Sequence, residues 1–295
     1  MAQGHLERHY YTPHGSAWPI RGTVGMMFMA IGGALWLNHI AYGSWVLLAG
    51  TALVLWMVFG WFGDVIHESL SGLYNEQVDR SFRWGMGWFI FSEVCFFACF
   101  FGALFYTRFL AVEWLSGHGD KALTGTLLWP SFEGGWPTNG PAQLGVHGEG
   151  SSFTPMGWWP LPAINTAILV TSSWTLTWAH HALKEGKQRA MIIGLAATVA
   201  LGILFLFLQA KEYGHAYAEL GLTMGTGIYG ATFFMMTGFH GFHVTLGSIM
   251  LLVMLIRAVK GHFKPESHFA FEATAWYWHF VDVVWLCLFV LVYVA

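Results

Sequence analysis

Seven stretches of the chain are mostly apolar and reach the roughly 20 residues needed to cross a hydrocarbon layer as a helix. They fall near 22–41, 43–66, 82–112, 162–184, 189–211, 227–257 and 268–295. Helices satisfy their own backbone hydrogen bonds where water is absent, so the expected fold class is all-α: a polytopic membrane protein forming a single membrane domain over 1–295. The third and sixth stretches are long enough to tilt or protrude. The longest connection, about 113–161, includes GGWPTNG and PMGWWPLP, whose Gly and Pro forbid a long helix. Trp136, Trp158 and Trp159 have the amphipathic rings that favour the headgroup zone, so this segment is expected to lie over the outer face. No fixed-period repeat suggests duplicated halves.

Composition sharpens the membrane reading and removes other classes. Of 295 residues, 56% are hydrophobic and 10% charged, against about 25% charged in soluble domains. A formal net charge of -3 describes no basic surface for a nucleic acid. The polar, histidine-rich start MAQGHLERHYYTPHGSAWPI lacks the pattern of a cleaved signal peptide. With the N-terminus inside, ten of the 13 Lys and Arg residues fall on the inner side, which favours a cytoplasmic N-terminus and an outward C-terminus. Cys95, Cys99 and Cys287 lie in apolar runs and fix no redox compartment. The surroundings SEVCFFACFF differ from the polar, His- and Met-bearing loop of a dinuclear copper site, so these thiols are expected to be buried and inert.

Several spans nevertheless carry ionisable groups. A charge at mid-bilayer costs at least about 2.5 kcal/mol, so each group needs a partner, a wet cavity, a headgroup or a proton. Glu93 stands roughly 15 Å above Arg83 by helical rise and has no basic neighbour on its own helix. It is expected to be protonated, or hydrogen-bonded to a lipid or another helix. His180 and His181 lie near the end of the fourth span, and His240 and His243 within the sixth. Glu272, His279 and Asp282 punctuate the last span, HFAFEATAWYWHFVDVVWL. His243 and His279 come within about one turn in depth, as two axial haem ligands would need, but no ligand spacing supports the pair. Hydrogen bonding to neighbouring helices is the expected duty of these histidines. At the membrane rim, Trp61, Asp64, His67 and Glu68 close the second span, and Arg257, Lys260 and His262 follow the sixth; such clusters anchor lipid phosphates or snorkel to headgroups. Glycines 225, 227, 230, 238, 241 and 247 mark the sixth span as a tightly packed, central helix.

The segments WFGDVIHES (61–69), FSEVCFF (91–97), TWAHHAL (177–183), LQAKEY (208–213), GATFFMMTGFHGFHV (230–244) and FEATAWYWHFVDVVWL (271–286) together resemble subunit III of the haem-copper cytochrome c oxidases, of the bacterial aa3 type. The resemblance runs nearly end to end. It implies seven transmembrane helices arranged as a two-helix unit (22–66) and a five-helix bundle (82–295), with a lipid-filled cleft between them. It further implies a chain without haem or copper, the haem a and copper residing in partner subunits I and II, with cytochrome c as electron donor to the complex. The implied duties are bracing subunit I, holding structural phospholipids, supporting proton uptake and giving oxygen a lipid route. By position, Glu93 resembles the family's intramembrane acid near the cleft, and Glu68, Arg257 and His262 its lipid-contacting rim, beside which Trp61, Asp64, His67 and Arg83 lie. His180, His181, His240, His243, Glu272, His279 and Asp282 are expected as structural polar groups. Gly63 and His67 stand where many relatives have arginines, which implies weaker or pH-dependent phosphate anchoring there. The location implied is a bacterial cytoplasmic membrane, with a periplasmic C-terminus. Two other readings compete: a homologous subunit of a quinol oxidase or nitric-oxide reductase, and a stand-alone haem-carrying or proton-coupled transporter.

Overall fold

The computed structural model describes residue 11 and residues 15–141 and 153–294. The histidine-rich start, with its reading as an uncleaved segment, and part of the long outer connection lie outside the described residues. The described residues form helices α1 (Trp18–Leu37), α2 (Gly43–Leu70), α3 (Glu76–Phe105), α4 (Val112–Leu115), α5 (Leu123–Leu128), α6 (Leu161–Lys184), α7 (Gln188–Ala218), α8 (Gly227–Val259) and α9 (Phe269–Leu288). A π-helical turn, Tyr106–Ala111, joins α3 to α4, and another, Phe289–Val294, extends α9. Six helices are long and apolar enough to cross a membrane by length and composition: α1, α2, α3 with its continuation to Leu115, α7, α8, and α9 with its extension to Val294. The remaining long helix, α6, has 24 residues and is diluted by Asn165, Ser172, Ser173, His180 and His181. Seven long helices are therefore present, of which hydropathy alone identifies six as spans.

The chain divides into two compact units, Met1–Trp84 and Gly85–Ala295. In the first, α1 and α2 pack through glycine. A Cβ on Gly32 would stand 2.3 Å from the Leu47 nitrogen, and one on Gly50 would stand 2.6 Å from the Met29 nitrogen. The backbones touch because no side chain intervenes, which is how helices associate when lipid is as apolar as the interface. Trp18 Nε1 donates to Asp64 Oδ2 at 2.6 Å, tying the start of α1 to α2.

In the second unit, α6 to α9 surround a core that includes Trp278, Trp285, Tyr277, Phe205, Phe233 and Phe271. Trp278 fills the space that Gly202 of α7 and Gly247 of α8 leave open; Cβ atoms there would approach its ring to 2.7 and 2.8 Å. Large apolar side chains such as Trp88, Trp174, Phe207 and Phe242 instead face outward, as expected of a chain whose solvent is lipid.

Two expectations are corrected here. The fifth span, placed at 189–211, continues as α7 to Ala218, because Glu212 and the residues after it still follow the helical face buried against α8. Cys95, Cys99 and Cys287, expected to be buried, are exposed on the surface of the chain. An apolar run cannot reveal which way a thiol points, since in lipid the outer face of a span is as apolar as its core.

Candidate functional site

The intramembrane acid on α3 has its partner on α8. His243 Nε2 lies 2.9 Å from Glu93 Oε2, and His243 Nδ1 lies 2.6 Å from the Phe239 carbonyl oxygen. A carbonyl only accepts, so Nδ1 carries a hydrogen, and one further proton is held between Nε2 and the carboxyl group. In either position of that proton the pair carries no net charge, which suits its surroundings. The rings of Phe96, Phe97, Phe242 and Tyr277 stand around the imidazole, the nearest being Phe97 at 5.0 Å between centroids. Part of Glu93 remains accessible, its side chain being 21% exposed against 7% for His243. The site is thus a polar pair at the surface of an aromatic box, open on the carboxyl side. Of the states open to Glu93, protonated or hydrogen-bonded to a lipid or another helix, the geometry places a helix partner within hydrogen-bond distance. Both His243 nitrogens are engaged, so His243 itself offers no free nitrogen for a haem shared with His279.

Replacing Glu93 by leucine is expected to leave His243 Nε2 without a hydrogen-bond partner and to cost about 1–3 kcal/mol, whereas glutamine keeps one and costs less. Thermal unfolding of the purified complex measures the difference; equal losses in the two variants would contradict the pairing.

The polar groups of α9 are turned toward α6 and α7. Ser173 Oγ donates to Asp282 Oδ2 and lies 3.0 Å from His279 Nδ1. Trp278 Nε1 donates to Ser172 Oγ at 2.9 Å and Trp285 Nε1 to Thr166 Oγ1 at 2.9 Å. His240, expected to hydrogen-bond to a neighbouring helix, is instead fully buried with neither ring nitrogen hydrogen-bonded, held by packing against Trp285 at 5.0 Å and Phe205 at 5.8 Å. At the end where α6 finishes and α9 begins, His180 and His268 both approach Glu272, while His181 is exposed.

The rim residues divide between the two units. In the first, Asp64 is engaged by Trp18, and Glu68 accepts from the Tyr74 hydroxyl at 2.7 Å. Burial, with that bond to Glu68, holds the Tyr74 hydroxyl above its usual range. Trp61 and His67 are exposed, and Arg83 Nε is 2.7 Å from Asp79 Oδ2. In the second unit, Arg257 is buried with its guanidinium over the Phe263 ring at 4.8 Å, and His262 follows it. Arg257 lies 14 residues along α8 from His243, about 21 Å by helical rise, so it does not join the Glu93 pair.

One buried acid escaped sequence reading. Glu212 of α7 has no exposed surface and accepts from the Tyr293 hydroxyl at 2.6 Å. Its clue was the quoted LQAKEY, read as a span end; the four-residue helical step from Gln209 to Tyr213 would have carried the helix past it. His268 was likewise treated only as the start of the last span, although it stands four residues before Glu272 and so shares its helix face.

A family profile described as "Cytochrome c oxidase subunit III" matches residues 8–118 and 128–295. Cytochrome c oxidase subunit 3 of Formosania lacustris is 40% identical over 290 residues, and that of Cyprinus carpio 39% identical over 290; each alignment covers 98% of this chain and 98% of the relative. The horse (Equus caballus) protein of the same name is 39% identical over 291 residues with the same coverage. These relatives are eukaryotic mitochondrial subunits. They overturn the expected bacterial aa3 type and bacterial cytoplasmic membrane. Short motifs report the family and do not tell which membrane holds the chain.

Proposed function

Since the chain belongs to the cytochrome c oxidase subunit III family, we propose that it is the colourless, lipid-associated third core subunit of an oxidase that reduces oxygen to water with electrons from cytochrome c. Its alignment over nearly the whole of its length with proteins of that name is the observation that carries this reading. The chain has no redox centre of its own; haem a and copper are carried by subunits I and II. Its work is to brace subunit I, to hold structural phospholipids and to keep proton uptake efficient, with oxygen entering through lipid.

In this reading α6 is the seventh span. Its polar positions are matched across α9 and α7: Thr166, Ser172 and Ser173 meet Trp285, Trp278 and Asp282, and Asn165 Nδ2 lies 3.4 Å from the Phe205 carbonyl oxygen. Matched in this way, they can be carried through hydrocarbon. The seven helices group as a pair and a five-helix bundle with a lipid-filled cleft. In this reading Trp61, Asp64, His67, Glu68, Arg83, Glu93 and His262 contact phospholipid, whereas Arg257, expected in the same role, is buried over Phe263 and does not reach it; the exposed Trp61 and the partly open Glu93 carboxyl are the features that suit a lipid contact.

Purification of the tagged chain in mild detergent tests the whole reading. Expected is a complex containing haem-bearing subunit I, subunit II, retained phospholipid and oxygen consumption driven by reduced cytochrome c. A chain that purifies alone, or a complex that oxidises quinol and ignores cytochrome c, would overturn it.

A further inference from the structure

We propose that His180, His268 and Glu272 form a binding site for one divalent transition-metal ion of the zinc class, where α6 finishes and α9 begins. These three residues come from two helices, His180 from the last two turns of α6, His268 as the residue that caps α9 and Glu272 from its first turn. Each His Nε2 stands 3.8 Å from Glu272 Oε1, and the three donor atoms lie within 4.8 Å of one another. Among the described residues this is the one such group of three.

Hydrogen bonding leaves the two imidazoles of the group unaccounted for. A separation of 3.8 Å is too long for a bond, and the Nε2 atoms of His180 and His268 are shielded from solvent with no hydrogen-bond partner. Buried ring nitrogens are rarely left so. Ligand atoms about 2.0–2.1 Å from a tetrahedral zinc stand about 3.4 Å apart, so an ion would draw these donors together by only a fraction of an ångström for each imidazole–carboxylate pair.

The tautomer is prepared as well. His268 Nδ1 lies 3.3 Å from the Lys264 carbonyl oxygen, which can only accept. The hydrogen therefore sits on Nδ1 and the Nε2 lone pair faces the group, which is how a backbone carbonyl orients a metal-bound imidazole. The His180 ring is held by Phe271 at 5.5 Å and by His268 at 5.5 Å between centroids.

The donor set decides the ion. Two imidazoles and one carboxylate suit zinc and its transition-metal neighbours, while magnesium and calcium prefer oxygen alone. Three protein donors leave a fourth position for water, and side-chain exposures of 11–20% leave a path for the ion to enter. Lys184, one turn beyond His180, is the nearby charge that weakens attraction for a cation, so binding is expected to be reversible rather than permanent.

The test uses the assembled complex, stripped with chelator, re-equilibrated with zinc and compared with Glu272→Gln and His180→Gln complexes. Wild type is expected to retain one more zinc than either variant, with two imidazole nitrogens and a carboxylate oxygen in its X-ray absorption spectrum. Affinity in the variants should fall by more than the 10–100-fold typical of residues that only orient a ligand. In the wild-type complex, zinc but not magnesium should slow hydrogen–deuterium exchange at the C2 positions of His180 and His268, a readout that needs no variant to assemble. Equal zinc content in wild type and variants, or exchange at both histidines unaffected by zinc, would overturn the site.

Discussion

Replacing Trp278 with alanine is expected to detach this subunit from its complex or to lower its thermal midpoint more than any other single truncation in α9. The indole is wholly buried, its Nε1 donates to Ser172 Oγ at 2.9 Å, and its ring lies in the gap left by Gly202 and Gly247. Neither glycine has a side chain to move into the void, so the cavity persists. Large aromatic truncations of this kind cost about 3–5 kcal/mol. In lipid the loss is chiefly of packing contacts, since lipid tails replace a hydrophobic drive between helices. Ser172 Oγ keeps its own bond to the Leu169 carbonyl at 2.6 Å, so the penalty is the cavity rather than a stranded hydroxyl. Phenylalanine at 278 should recover part of the loss. Subunit retention during detergent purification and the unfolding midpoint are the measurements; wild-type values for the alanine variant would refute the account.

Gly32→Val should separate α1 from α2, while Gly33→Ala, one residue away, should be silent. A valine Cβ at 32 would sit 2.3 Å from the Leu47 nitrogen and 2.6 Å from its Cα, which are backbone atoms that cannot rotate aside. At Gly33 nothing lies within 4 Å. Overpacking in a core costs about 1–3 kcal/mol when side chains can yield, and a clash with backbone lies at or above the top of that range. The pair of variants makes the comparison internal, because both add a side chain to the same helix. Resistance to unfolding on titration with a denaturing detergent should fall for Gly32→Val alone; equal behaviour would mean that contact through glycine does not hold the pair.

The long helices were legible because hydrophobic length is a property of the chain, and their observed limits differ from the expected ones by a few residues at most ends. The larger differences are at the start of α3, six residues earlier at Glu76, and at the end of α7, which runs past Lys211 to Ala218; both stretches carry charged residues, and only the neighbouring helices decide whether a charged face is sheltered. Glu93 stood out for the same reason in reverse: an acid amid phenylalanines is conspicuous in any alphabet. Its partner did not, since His243 is 150 residues away and one imidazole in an apolar helix looks like another. Glu212 and His268 were overlooked because each sat beside an assumed helix end.

The sequence by itself determined that the chain is all-helical and membrane-embedded, and its motifs determined the family, because hydropathy and helical period are local. Only the tertiary structure decided which buried polar atoms share a proton, which carry the contact between α6 and α9, and which three donors face one another at the bundle's end. Those pairings join helices far apart in sequence, and in lipid a polar atom must find its partner wherever the packing brings one near.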